Sequence, residues 1–363
     1  MNPSTHAFAE LIALLQSAEN TFLTARNQTD DVDISDSYKN LLDLLAIGVD
    51  CYIDNSADNP HFIKLVNSAR KMGGDNAHAL YDFAPLNGEL TYTLRGNRGG
   101  TAYLGVTLYG GASEEAVTVH ANINTSHLSF DEHGNFAVTI GPEPAPETGS
   151  GNGVHLQSKP DTNGVIIRQY FLDQDRSEEA LLDIEVTSGT TAPAVVSSET
   201  MAARITSLTR FIRGWSNMTP MPWPDAIEAY NQVCPPFNTG QSTGHWSTPD
   251  NIHAFGFFKL EDDEALILKS RSPECLYWSC HLWNSSMHTF DYERYACAIA
   301  ASQVQLNNDG SWELVIAKRD PQRPNWIDTA GRNKGFIYFR WLEAKETPPA
   351  MNAEVVKLPT SGQ

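Results

Sequence analysis

Residues 89–110 read ELTYTLRGNRGGTAYLGVTLYG. Leu90, Tyr92 and Leu94 alternate with Glu89, Thr91, Thr93 and Arg95, and Leu104, Val106 and Leu108 repeat the alternation after a glycine-rich break. Successive side chains of a strand point to opposite faces, so this period of two marks a pair of strands, each with one buried face. The break GNRGG at residues 96–100 has the glycines of a phosphate loop. It leads into another strand, however, and so lacks the helix N-terminus that would favour a phosphate. The stretch predicts β structure closed by turns and argues against a nucleotide-binding fold.

The same pattern extends toward the C-terminus. Short apolar runs at 117–123, 136–140, 165–172 and 181–186 are separated by Gly, Pro and Asn at irregular spacing, which fits a sandwich or jelly roll better than a parallel sheet. Residues 141–163 are rich in Pro, Gly, Ser and Asn without apolar rhythm and predict a long, mobile loop, with a lid as the alternative. Strands resume at 254–259, 265–270, 276–283, 312–317 and 335–342, with Asn307-Asn308-Asp309-Gly310 as a turn. The tail after Glu343 reads as an extended or disordered end.

Helical spacing appears at 8–26 and 37–53. A third helix is expected at 61–72, started by Asn59-Pro60 and ended by Gly73-Gly74. Residues 198–215 and 224–233 predict a further pair. The fold class is therefore mainly β, with helical N-terminal and linking segments and two β-sandwich or jelly-roll-like units. The expected division is a helical segment 1–75, a first β unit 76–190, a helical linker 191–245, a second β unit 246–345 and a tail 346–363.

With 363 residues, 44 acids against 25 Lys and Arg and a formal charge of −19, the chain would repel phosphate backbones and anionic lipid surfaces. Nucleic acid and membrane are not expected partners. No run approaches the roughly 18 apolar residues of a membrane span. The N-terminal MNPSTHAFAELIALLQSAEN has neither a basic leader nor a small-residue cleavage site, so the expected location is cytoplasmic. Five cysteines without a CxxC spacing are expected as reduced, mostly buried thiols.

Three C-terminal runs carry a resemblance: PECLYWSCHLWNSSMHTFDY at 273–292, NNDGSWELVIAKRDP at 307–321 and RPNWIDTAGRNKGFIYFRWLE at 323–343. They resemble the C-terminal signature of the bacterial family catalogued as domain of unknown function 1214. The run 58–96, DNPHFIKLVNSARKMGGDNAHALYDFAPLNGELTYTLRG, is similar to the N-terminal part of its longer members. The resemblance implies a β-sandwich or jelly-roll fold and a homo-oligomer, and brings no settled chemistry. Many relatives have His where this chain has Arg332, so any role that His plays is altered or lost here.

Within the signature, Cys275, Tyr277, Ser279, His281 and Trp283 share one strand face, and Leu276, Trp278, Cys280 and Leu282 the other. A face mixing rings with hydrogen-bonding groups suits a pocket lining, with Tyr277 and His281 exchanging a proton; the competing reading is a half-buried face whose polar groups pair internally. Asp328 in the turn closed by Gly331 and Arg340 on the following strand are expected either to pair as an acid–base unit or to fix the turn and the sheet separately. Around GGDN, Arg70, Asp75 and Asn76 either cap a helix end or contribute to a pocket.

The candidate catalytic residues are thus Tyr277, His281, Asp328 and Arg340, and the candidate substrate-binding residues Trp278, Trp283, His288, Trp326 and Tyr338. No metal or cofactor is expected: His281 and His288 have no third ligand at a recognisable spacing, and no Walker, HExxH, GxSxG or dinucleotide motif occurs. The leading expectation is an enzyme performing metal-independent acid–base chemistry, hydrolysis or elimination, on a small neutral, partly apolar organic molecule such as a glycoside, steroid or terpenoid. The alternative is a non-catalytic small-molecule or carbohydrate-binding sandwich.

Overall fold

The computed structural model describes residues 2–22, 28, 30–111, 117–144, 154–173, 176, 178–188, 195–238 and 246–359. Two helices open the chain, α1 (Pro3–Phe22) and α2 (Asp31–Tyr52). The Asp30 side chain accepts from the Asp33 amide at 2.9 Å and thereby starts α2. The third helix, expected at 61–72, does not form. Asn55 binds both the amide and the carbonyl of His61, and Asn67 Oδ1 accepts from the amides of Ala69 and Arg70. These side chains take the backbone groups a helix would need. Only the two-residue strand β1 (Ile63–Lys64) forms there, paired to the next strand.

The first sandwich follows, with β2 (Ala79–Pro85), β3 (Tyr92–Asn97), β4 (Tyr103–Gly110), β5 (Thr118–Asn124), β6 (Asn135–Gly141), β7 (Val154–Gln157), β8 (Thr162–Tyr170) and β9 (Leu181–Val186). Its sheets have the orders β1-β2-β8-β4-β5 and β7-β6-β3-β9. The alternating residues of 89–110 behave as read: Tyr92, Leu94, Leu104, Val106 and Leu108 meet in the core between the sheets. The expected long loop is shorter, because β7 pairs with β6 inside it; residues 145–153 lie outside the described ones.

Helix α3 (Ser198–Met218) starts on Ser197, whose hydroxyl accepts from the Thr200 amide. It packs on α1 and α2 over the outer face of the five-stranded sheet, around Phe83, Tyr109 and Ile166. A Cβ on Gly48 would stand 2.3 Å from Leu208 Cδ1, so the closest approach of α2 to α3 depends on that glycine. The second linking helix, expected at 224–233, is reduced to a single turn at Ile227–Ala229.

The second sandwich contains β10 (Gln232–Val233), β11 (Phe237–Asn238), β12 (Asn251–Lys259), β13 (Glu264–Ser270), β14 (Tyr277–Trp283), β15 (Ala298–Ala300), β16 (Trp312–Ala317), β17 (Trp326–Asp328), β18 (Lys334–Leu342) and β19 (Asn352–Lys357). One sheet runs β10-β12-β18-β14-β15 with β11 also on β12, the other β17-β16-β13-β19. The tail is therefore not free: β19 closes an edge of the second sheet. Trp278, Trp312, Phe339 and Trp341 fill the core between the two.

Candidate active site between the two sandwiches

Alternation along β14 sends Trp278, Cys280 and Leu282 into the second core, so Tyr277, Ser279, His281 and Trp283 face the first sandwich. Register sets His253, Arg340 and Ser279 in one row across β12, β18 and β14, and Phe255, Tyr338 and His281 in the next. Opposite them stand Tyr81 from β2 and Ile166, Arg168 and Tyr170 from β8. A cavity of about 280 Å³ lies between these faces. Trp215 and Met218 at the end of α3, Gly73 to Asp75, and Trp246 to Thr248 complete its walls.

Arg340 Nη1 donates to Tyr81 Oη at 3.2 Å and Nη2 to the Gly74 carbonyl at 3.1 Å, while its Nε–H has no partner. The guanidinium lies 5.6 Å from the centre of the Trp283 ring and 5.2 Å from that of Tyr338. Arg168 donates through Nη2 to Tyr109 Oη at 2.7 Å and to the Trp246 carbonyl, and through Nη1 to Thr107 Oγ1 at 3.2 Å. Both arginines are buried, 3% and 4% exposed, and among the described residues neither is ion-paired to a carboxylate.

Asp75 also lines the cavity. It accepts from the Thr289 amide at 2.7 Å and from the Thr289 hydroxyl, which in turn accepts from Lys71 Nζ at 2.7 Å. Burial pushes its carboxyl upward against the opposing pull of Lys71 and Arg340. His253 Nδ1 lies 2.9 Å from Tyr338 Oη. Burial, and then the Arg340 charge, hold this imidazole down at a pKa of about 3, and burial raises Tyr338 to about 12. Both are neutral near pH 7, so the pair is a short proton path with no net charge.

Of the residues singled out in the sequence, Asp75, Trp283, Tyr338 and Arg340 line the cavity. Tyr277 and His281 share their sheet face but lie behind the cavity wall. Tyr277 Oη is 3.0 Å from His78 Nδ1 and 3.2 Å from Asn76 Oδ1. His281 Nε2 accepts from the Ala77 amide at 3.3 Å, which leaves its proton on Nδ1, a buried atom without a partner. Burial first, then Arg340, His78 and Lys71, keep that ring far below the usual histidine range.

The others are elsewhere. Trp278 is in the second core, and His288 is buried in the tight turn after β14, its amide donating to Asn284 Oδ1 at 3.1 Å. Trp326 and Asp328 belong to β17 of the opposite sheet, where Trp326 Nε1 donates to the Ala317 carbonyl at 3.0 Å. Asp328 accepts from the Ala330 amide at 2.8 Å and so stabilises its own turn. The Asp328–Arg340 unit is not assembled, because the second core separates the two sheets. Arg332 is also outside the cavity: it pairs with Asp36 of α2 at 2.7 Å and lies 4.9 Å from the Phe290 ring centre.

Arg168, Tyr81, His253 and Trp246 were not foreseen. The available signal was Arg168 itself, a lone charge within the apolar run VIIRQYFL at 165–172, where burial of an arginine is rare without a reason. Among the described residues no group of three or more His, Cys, Asp or Glu stands together as a metal site, and no helix is long and apolar enough to cross a membrane.

Comparison with solved structures places the chain beside a putative uncharacterized protein from Burkholderia cenocepacia, with a TM-score of 0.87 and 24% identity over 97% of this chain and 96% of that one. The VPA0106 protein from Vibrio parahaemolyticus is more distant, with a TM-score of 0.51 and 9% identity over 88% of this chain and 98% of that one. These likenesses establish the fold. No curated protein matches. The segment that contributes Trp283, Tyr338 and Arg340 lies within residues 262–346, which match the family described as protein of unknown function (DUF1214).

Proposed function

We propose that the protein binds a small, partly apolar organic molecule in the cavity between its two sandwiches. The supporting observation is the lining: Trp215, Met218, Trp283 and Phe336 offer an apolar wall, while Arg168, Arg340 and the His253–Tyr338 pair gather polar groups around the same space. A concave, mainly apolar cavity with a few convergent polar groups is the usual form of a small-molecule site. Its test is a thermal-shift screen with aromatic and alicyclic compounds, in which a bound ligand raises Tm by stabilising only the folded state. Tm unmoved by every compound at millimolar concentration counts against the reading.

A second reading, acid–base turnover of the bound molecule by hydrolysis or elimination, is favoured by His253 and Tyr338. They replace the Tyr277, His281 and Asp328 constellation as proton handlers, because they line the cavity and those three do not. Tyr338→Phe keeps the ring and removes the hydroxyl. It is expected to leave ligand affinity within about threefold and to lower turnover about 100-fold or more, on the scale of a lost acid–base catalyst. Unchanged turnover would leave the binding reading alone.

A further inference from the structure

We infer that the ligand of this cavity carries an anionic head group of the carboxylate class, received between Arg168 and Arg340. The inference rests on the proposal that the cavity is a ligand site and deepens it. It departs from the neutral ligand expected from composition, because the local charge of the lining is opposite in sign to that of the protein.

Three observations carry it. The first is an imbalance of buried charge: the cavity is lined by two guanidiniums and by a single carboxylate, Asp75, whose oxygens are engaged by Thr289. A buried cation without an anion is costly, and ordinarily a protein either pairs it or dispenses with it. The second is geometry. Tyr81 joins the two arginines: its hydroxyl accepts from Arg340 at 3.2 Å, and its ring centre lies 6.0 Å from the Arg168 guanidinium carbon. Tyr81 thus places both positive groups beside one ring of the lining, with Trp283 packed on the Arg340 guanidinium.

The third is unfilled hydrogen-bonding capacity. The Arg340 Nε–H and the Thr248 hydroxyl are buried without partners, and both residues line the cavity. Tyr81, having accepted from Arg340, still has its own proton to donate. Together these are donors arranged for an acceptor that carries negative charge, and charge-assisted bonds to a carboxylate are shorter and stronger than neutral ones. Apolar walls behind such a head group fit an aromatic or alicyclic carboxylate. The net charge of −19 slows the approach of an anion from a distance, but affinity is decided by contacts inside the cavity, where solvent screening is weakest.

The test is titration calorimetry of the full-length protein with benzoate, 3-phenylpropionate and indole-3-acetate, each against its primary carboxamide. The amide preserves shape and removes charge. Carboxylates are expected to bind at least about tenfold more tightly than the matched amides. In Arg168→Gln and Arg340→Gln the preference for each carboxylate over its matched amide is expected to vanish. Should either variant fail to fold, the comparison on the unaltered protein decides alone. Equal affinities for the two series would overturn the anionic head group and leave the cavity reading standing. No binding of either series at millimolar concentration would overturn both.

Discussion

Lowering the pH from 7 to 5 should remove much of this protein's stability, because four buried histidines are held neutral by the fold. His78 is held at a pKa of about 4, His253 and His288 at about 3, and His281 well below its ordinary value, each chiefly by burial. In the unfolded chain a histidine takes up its proton near pH 6.5. Below that pH the unfolded state binds protons that the folded state refuses, so the stabilisation is complete above about 6.5 and is lost as the pH falls. The loss between pH 7 and 5 amounts to about 2 kcal/mol for each such ring. Four rings reach roughly 8 kcal/mol, on the scale of the ~5–15 kcal/mol that holds a typical domain together.

Asp75 and Asp82 act in the opposite sense, since burial raises their carboxyls and lets the fold take up a proton there first. They offset part of the loss as the pH nears 5. Urea unfolding at pH 7, 6 and 5 measures the balance, with an expected fall of at least about 4 kcal/mol over the interval. His288→Gln, which removes one ring that does not line the cavity, should shrink that fall by about 2 kcal/mol. A stability change below about 1 kcal/mol between pH 7 and 5 would refute the claim that these rings are buried and neutral.

Two further expectations concern the framework. Gly256→Ala would place a Cβ 2.0 Å from the Gln232 carbonyl oxygen, forcing β10 away from β12; a loss of about 1–3 kcal/mol, read as a lower Tm, is expected. Arg332→His breaks the two-point contact with Asp36 at 2.7 and 3.2 Å. A cost of about 1–2 kcal/mol in urea unfolding with unchanged ligand affinity is expected, and an altered affinity would assign Arg332 to the site.

Much of the fold was legible because alternation survives wherever one strand face is buried. The strands of 89–110 and β14 follow directly from it. What escaped was decided by side chains acting on backbone at short range. Asn55 and Asn67 turned 61–72 away from a helix, and β19 became a strand because β13 offered an edge to it. The site was half legible for a related reason. Trp283, Tyr338 and Arg340 lie on strands whose facing can be counted from the sequence, whereas Arg168 meets them only through the docking of two sandwiches, a contact with no local signature. Tyr277 and His281 were assigned to the right face, but the face is longer than the cavity, and the segment from Gly74 to His78 covers their end of it.

Tyr81 and Arg168 belong to one sandwich and Arg340 to the other, and that division gives any occupant of the cavity a mechanical role. A molecule gripped from both sides is a strut between two units that also meet through the buried cluster of Tyr103, Tyr170, Tyr277 and Leu342. Occupancy would therefore act as a clamp, coupling the unfolding of one sandwich to that of the other. The 262–346 segment on its own carries only one jaw of it.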